Sequence, residues 1–402
     1  MRSDRTRIGK WVRVVAALTL GLSMFSAQPA QAAITKIPSN VSVVYLTGTL
    51  DTENKSCVTI DTVGHSLEVK WLHRRLVNEL RIDPSKSFSL NYYCPQGARA
   101  TLTKKAELPA VAPVTEMVAV TAAGKPVAGC LSAASTYVES GQPDTGKTKN
   151  QLPEPVIRHA YHVAWWLHKQ VQDNPGRQFL LIGHSQGGIL MRLIYLLSEQ
   201  SRRAAITGTN WLEGRYNPRC WPNFPKTMFY GNIFMGTPFL GGIGSIFSCG
   251  LRLAGYELCD ILNTRNPSLT RRILDKYKAL VGPSPARQIQ FGGNPEEHVV
   301  AIFKISGEST TALPGGRAFL IQKSDRSQMR HEDWFNTNRY TAGQCPASSV
   351  VSPGFCVYFD VTGQSYGGSA AGRIRISDET ECSGCPGNAY DLIVWTIKKW
   401  WS

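Results

Sequence analysis

One serine stands out by its surroundings. Residues 179–188 read Phe-Leu-Leu-Ile-Gly-His-Ser-Gln-Gly-Gly, a G-x-S-x-G pentapeptide centred on Ser185 with a further glycine behind it. The pentapeptide alone says little. Its flanks give it force: Phe179 to Ile182 is a short apolar run, and Gly187 to Leu197 reads as an apolar helix. A strand that turns at once into a helix forces the residue at the bend into a strained conformation, and small neighbours let strand and helix approach closely. The Ser185 hydroxyl then stands above the end of the strand, at a helix N-terminus. There the N–H of Gln186 can stabilise an oxyanion. This is the chemistry of a nucleophile attacking a carbonyl. A hydroxyl is a weak nucleophile, so it needs a base, and the base needs an acid to orient it.

The rest of the chain must position those groups, and its pattern is an alternation. Val41 to Leu46 predicts a strand ending at the turn Thr47-Gly48-Thr49. Ser66 to Leu80 predicts a helix, with Leu67, Trp71, Leu72, Leu76 and Leu80 on one face. Ser87 to Tyr93 predicts a strand. Residues 95–150 break the rhythm and read as an insertion, with a hairpin of 117–120 against 127–130 and a polar loop from Gly141 to Asn150. Pro153 to Gln172 predicts a helix with Pro155 in its first turn and an apolar stripe Val156, Ala160, Val163, Ala164, Leu167 and Val171. Further strands are predicted at Thr227 to Met235, Val299 to Ile305 and Ala318 to Gln322, and a final helix at Asp391 to Trp400. Strands separated by helices imply a mostly parallel sheet covered on both faces, and such sheets bind ligands beyond the carboxyl ends of their strands.

In this context GHSQGG resembles the nucleophile elbow of the α/β-hydrolase family, and within it of secreted serine lipases and esterases. The resemblance runs over about residues 40–335. Gly236-Thr237-Pro238-Phe239-Leu240-Gly241-Gly242 is similar to the Thr-Pro-His-x-Gly turn of many bacterial lipases, with Phe239 in place of the histidine, so the role of that histidine does not carry over. The fold implied is the α/β-hydrolase fold with a cap or lid insertion. The family order is nucleophile, acid, histidine. Two histidines follow Ser185: His298, at the start of a predicted strand and so at its wrong end, and His331, beyond the last predicted core strand. The resemblance thus makes His331 the base. The acid is left between two residues. Glu308 follows the predicted strand Val299 to Ile305, where the family places its acid, and Asp325 is the usual residue type but stands only six positions before His331. Asp260 fits only if the acid follows an earlier strand. The oxyanion hole implied takes one N–H from Gln186 and one from Thr49, with Leu50 next in line; Thr47 stands where the family has histidine or proline.

Composition frames the rest. The 402 residues are 42% apolar and 18% charged, a globular balance that excludes a disordered or coiled-coil chain. Residues 1–32 have the basic start, the apolar run Val14 to Phe25 and the Ala30-Gln31-Ala32 site of a secretory signal peptide. Removing its five basic residues and one acidic residue from the formal +15 leaves +11 over 370 residues. The expected location is therefore secreted, extracellular or periplasmic. The ten cysteines all lie in the mature part, an even set open to disulfide pairing. Cys345, Cys356, Cys382 and Cys385 fall in 341–402, expected as a disulfide-stapled C-terminal extension to a catalytic domain of 33–340. Cys382 and Cys385 have no nearby histidine and no second C-x-x-C, which argues against zinc. No metal or cofactor is expected. Residues 201–290 carry 12 Lys plus Arg against 4 Asp plus Glu and contain the apolar stretch Gly241 to Leu262, which fits a cap over an acyl pocket or a buried helix pair. Its charge fits attraction to an anionic membrane or cell surface, or a solvated face. No dense basic tract or nucleic-acid motif is present, so no nucleic-acid partner is expected. Trp165-Trp166 and Trp400-Trp401 have the look of membrane or carbohydrate contacts, though such pairs more often divide between core and surface.

The function expected is cleavage of carboxylic esters, of the lipase, phospholipase or esterase type, with an ester or lipid as substrate. Two rivals stay open: an acyltransferase using the same groups on an acceptor alcohol, and a non-catalytic binding protein on the same scaffold.

Overall fold

The computed structural model describes residues 36–46, 48, 63–92, 110–131, 155–207, 217–241, 261–262, 264, 267–277, 287–293, 296–300, 303–306, 317–322, 357–360, 374–375, 393–394, 396–398 and 401. Its centre is a nine-stranded sheet. In chain order the strands of the first half are β1 (Val41–Leu46), β2 (Ser87–Asn91), β3 (Ala110–Pro113), β4 (Gln178–His184) and β5 (Phe229–Met235). The second half gives β6 (Gln288–Gly293), β7 (Glu296–Val300), β8 (Phe303–Ser306), β9 (Arg317–Gln322), β10 (Val357–Asp360) and β11 (Ile374–Arg375). The spatial order is β3-β2-β1-β4-β5-β6-β9-β10-β11. The run from β3 to β9 is parallel throughout, and β10 and β11 add antiparallel strands beyond β9.

The helices are α1 (Val63–Leu80), α2 (Pro155–Asp173), α3 (Gln186–Ser198), α4 (Gln200–Thr207) and α5 (Leu269–Lys276). Alternation along the strands sets which helices lie where. Val44, Leu46, Phe179 and Leu181 point into a core shared with α2, α3 and α5. Val41, Val43, Tyr45, Leu180 and Ile182 point into a second core shared with α1 and with Ile393, Val394, Ile397 and Trp401 near the C-terminus. Sheet covered on both faces explains why β1 and β4 are buried along nearly their whole length. The sequence expectation of a mostly parallel α/β sheet is therefore what the chain forms. Trp165 and Trp166 are both buried, so that pair belongs to the core.

Three expectations change. Val299 to Ile305 is not a core strand. The apolar run folds back on itself as the antiparallel pair β7–β8, a separate two-stranded sheet. The sheet strand before β9 is β6, whose sequence Gln-Ile-Gln-Phe-Gly-Gly hides it, because Gln288 and Gln290 are fully buried polar residues where an apolar alternation was sought. Second, the expected insertion 95–150 contributes β3 to the sheet, an edge strand where the terminal Pro113 is tolerated. Third, the hairpin expected at 117–130 is a turn closed by Thr121 N–H to Lys125 O at 2.8 Å, with a single bridge between Val120 and Pro126. On the other side of that bridge Val127 N–H donates to Ala119 O at 2.9 Å, so Ala119 stands against Val127. The tail likewise joins the main sheet through β10, which pairs with β9.

Candidate active site

The chain winds from β1 outward to β2 and β3, then crosses back to β4 and continues outward through β5, β6 and β9. The reversal lies between β1 and β4. At such a switch point the connections leave in opposite directions and a crevice opens beyond the carboxyl ends. Ser185 sits there, the single residue between β4 and α3.

Its backbone is strained. Ser185 has φ 50° and ψ −120°, one of two non-glycine residues with positive φ among those described. A β-carbon in that region clashes with its own backbone, at a cost of about 1–3 kcal/mol. The surroundings hold it in place. The Ser185 N–H donates to Met235 O at 2.9 Å, and Ser185 O accepts from Gly188 N–H at 3.1 Å. Glycine on either side is required by space. A β-carbon on Gly183 would lie 2.6 Å from Gly188 N, and one on Gly188 would lie 2.8 Å from Thr237 Cβ. A serine before a helix usually caps it with its side chain, but the Ser185 hydroxyl makes no capping bond. The positive φ turns it away from the first turn. α3 has no acidic residue in that turn, so the positive end of its dipole is not offset there.

The neighbouring turn is fixed as firmly. Gly236 N–H donates to Phe291 O at 2.9 Å, which ties the end of β5 to β6. Thr237 is fully buried against Gly188. Phe239, the residue that replaces histidine in the lipase-like turn, packs edge-on against Phe234 with ring centroids 5.2 Å apart, a core contact. The Arg271 guanidinium, fully buried on α5, donates to Phe239 O, to Ile261 O at 3.1 Å and to Asp275 Oδ1 at 2.7 Å. It ties together the two ends of 242–260. Arg271 was not singled out by sequence, because an arginine followed by Asp275 four residues on reads as an ordinary exposed helix pair.

Of the expected site residues, the described structure contains Ser185 and Gln186. Gln186 opens α3, where the N–H groups of a first turn point out along the helix axis. Leu46 pairs with Gly183 across β1 and β4, so β1 ends beside the elbow; Gly48, two residues on, is buried. Thr47, Thr49, Leu50, Asp260, Glu308, Asp325 and His331 lie outside the described residues, as do residues 1–32, 242–260 and eight of the ten cysteines. The topology changes the argument for Glu308 and for His298, which is among the described residues. Glu308 was reached by counting from a strand that is not in the sheet. The β7–β8 excursion, however, leaves the carboxyl end of β6 and returns to it, with Glu296 opposite Ser306, and Glu308 follows two residues later. Glu296 and Glu297 stand equally close in the chain to that end. His298, set aside as lying at the wrong end of a core strand, is instead on this hairpin, opposite Lys304. The described residues hold no group of three or more His, Cys, Asp or Glu fit to bind a metal ion.

The described disulfide joins Cys130 to Cys220. It ties the segment after β3 to the segment before β5 and closes a loop that contains Ser185.

No protein-family model matches the chain, and none of the curated proteins matches it. Among solved structures the chain is similar to the product of gene lin2722 from Listeria innocua, at 12% identity over 64% of this chain and 71% of that one, with a TM-score of 0.27. At that level the two share too little to carry fold or function from one to the other.

Proposed function

We propose that the chain is a secreted serine hydrolase of carboxylic esters, with Ser185 as nucleophile. The observation that supports this most is the backbone of Ser185: a strained non-glycine residue at the sheet's switch point, its hydroxyl free of any helix cap. Structures keep such strain where function uses it. In the reaction, Ser185 Oγ attacks the ester carbonyl as His331 takes its proton. The tetrahedral oxyanion forms beside the N–H groups of Gln186 and Thr49. Its collapse breaks the C–O bond, and His331 returns the proton to the departing alcohol. Water, activated by the same histidine, then hydrolyses the acyl-enzyme. Glu308 or Asp325 orients the imidazole. The signal-peptide pattern and the Cys130–Cys220 bridge together support export to an oxidising compartment.

A fluorophosphonate probe tests the proposal. Ser185 should label in the intact protein and Ser185→Ala should not. His331→Ala should slow labelling and p-nitrophenyl ester turnover by about 10³-fold or more. An inert Ser185 ends the hydrolase reading. Loss of activity in His298→Ala with His331→Ala unaffected moves the base to the β7–β8 hairpin. Glu308→Gln, Asp325→Asn and Glu296→Gln, made singly, should give one crippled variant.

A further inference from the structure

The turn that follows β5 bears on the helix that Ser185 opens. Thr237 is fully buried, and its side chain fills the space beside Gly188 in the first turn of α3. A β-carbon on Gly188 would lie 1.9 Å from Thr237 Oγ1, 2.7 Å from Cγ2 and 2.8 Å from Cβ. The hydroxyl oxygen is therefore the nearest of the three atoms. Because a Cα–Cβ bond adds about 1.5 Å, Oγ1 stands within about 3.4 Å of Gly188 Cα. That distance explains the residue type. An oxygen accepts a Cα–H at about 3.3–3.6 Å, whereas two carbons settle at about 3.5–4.0 Å. The space admits a hydroxyl where a methyl group is too large. By every other measure the hydroxyl is unfavourable. Oγ1 has no hydrogen-bond partner among the described residues, and a buried polar group left unmatched lowers stability. Valine has nearly the same shape without that defect, so stability alone favours valine at 237.

Neither side of the contact is free to move. Gly236 N–H donates to Phe291 O and Phe239 N–H to Thr237 O, each at 2.9 Å, and Arg271 holds Phe239 O. The turn is thus fastened to β6, to itself and to α5. The first turn of α3 is backed in its turn by β4, where a β-carbon on Gly183 would lie 2.6 Å from Gly188 N. Gly188 N–H donates to Ser185 O at 3.1 Å, and Ser185 N–H to Met235 O at 2.9 Å. Contacts from the ends of β4 and β5 therefore fix where α3 begins, and Ser185 is the one residue that joins β4 to it. Any shift of that first turn is taken up in the φ and ψ of Ser185.

We propose that Thr237 is a positioning residue for Ser185. Its hydroxyl oxygen sets the spacing between the turn after β5 and the first turn of α3, and that spacing holds the strained backbone from which Ser185 Oγ projects. The catalytic consequence rests on the hydrolase reading above. Thr237 acts through Gly188 and not on the substrate. A strained residue persists only where its surroundings over-determine it, and this contact is part of what does so at Ser185.

Three substitutions in the full chain separate positioning from packing. Thr237→Ser keeps the oxygen and loses the methyl group, Thr237→Val keeps the bulk and replaces the oxygen, and Thr237→Ala removes both. With p-nitrophenyl butyrate, Thr237→Ser should stay within about threefold of the wild-type kcat, while Thr237→Val and Thr237→Ala should fall about tenfold or more. KM should change little, because the contact is made to α3 and not to the substrate. Rates of fluorophosphonate labelling should follow the same order. A role in packing alone gives the reverse, with Thr237→Val the most stable of the three and the most active. Thr237→Val at least as active as Thr237→Ser, or Thr237→Ser no better than Thr237→Ala, overturns the proposal; the second comparison decides if Thr237→Val does not fold. A further measurement needs no reaction. Ser185→Gly relieves the bend, and its effect on the urea midpoint should differ between the wild-type and Thr237→Ala backgrounds, as for residues under one constraint. Equal effects in the two backgrounds overturn the proposal. A wild type that never labels removes the hydrolase reading, while unequal effects in urea still uphold Thr237 as a residue that holds the Ser185 backbone.

Discussion

The chain between Cys130 and Cys220 and the chain between β6 and β9 serve the same sheet and are built on opposite plans. In the first, the sheet strand and its helices are consecutive and the connections are minimal: residues 174–177 join α2 to β4, and Ser185 alone joins β4 to α3. A disulfide closes the whole unit. In the second, β6 and β9 are parallel neighbours, yet the chain between them departs into the β7–β8 hairpin before returning. The position of Ser185, the proposed nucleophile, is thus a local consequence of a few residues. The proposed base and acid, His331 with Glu308 or Asp325, come from stretches of sequence that no short motif marks.

The largest expected effect comes from opening the closed unit. The Cys130–Cys220 bridge spans 90 residues, and loop-closure entropy for that length stabilises the fold by about 4 kcal/mol. Replacing both cysteines by alanine should lower the urea midpoint accordingly. Hydrogen exchange should rise first in α2 and α3 and least in β6 and β9. Equal loss of protection in both regions would mean the comparison describes topology and not stability.

The same contrast explains what could be read in advance. β1, α1, α2, β4, α3, β5 and β9 were each legible from apolar period within about three residues, because each buries a continuous apolar face. The elbow was legible because steric demand fixes glycine at Gly183 and Gly188, on either side of a serine. β6 was not, since its buried Gln288 and Gln290 break the alternation, and neither were β10 and β11, which hold the sheet's far edge through residues remote in sequence. The pairing of Cys130 with Cys220 is a property of the folded chain alone. His162 and Arg271 escaped for a shared reason. Each is a polar residue on an otherwise ordinary helix, and what distinguishes it is a backbone carbonyl contributed from elsewhere: Met117 for one, Phe239 and Ile261 for the other.

Acid should also act unequally. His73 on α1 is buried beneath β1, with Nδ1 3.4 Å from the Tyr45 hydroxyl, and burial lowers it to about 4, as for His162. Both histidines belong to the half of the sheet upstream of β4. An unfolded histidine takes up its proton near 6.5, so between about 6.5 and 4 the unfolded chain holds more protons than the folded one. Stability is full above that window and falls as pH drops through it, by about 2 kcal/mol per histidine at pH 5. His73→Gln should flatten the fall in urea midpoint between pH 7 and pH 5 by about half. A profile that stays as steep would place the acid-sensitive groups elsewhere.

The smallest effect has the opposite sign and bears most directly on why Ser185 is where it is. At φ 50° and ψ −120°, a residue with a β-carbon is strained and glycine is not. Ser185→Gly removes the side chain and keeps the backbone bonds from Ser185 N–H to Met235 O and from Gly188 N–H to Ser185 O. Glycine also gives the unfolded chain more freedom, about 1 kcal/mol in the other direction. Relief of strain of about 1–3 kcal/mol should outweigh that, so the variant should gain about 1 kcal/mol in urea while losing all reaction with a fluorophosphonate. Ser185→Ala, which keeps the β-carbon, should lose the reaction without the gain. If Ser185→Gly were instead destabilised to the level of an ordinary serine-to-glycine change, the bend at Ser185 would be a comfortable one, and the strain that supports its proposed role as nucleophile would have no energetic content.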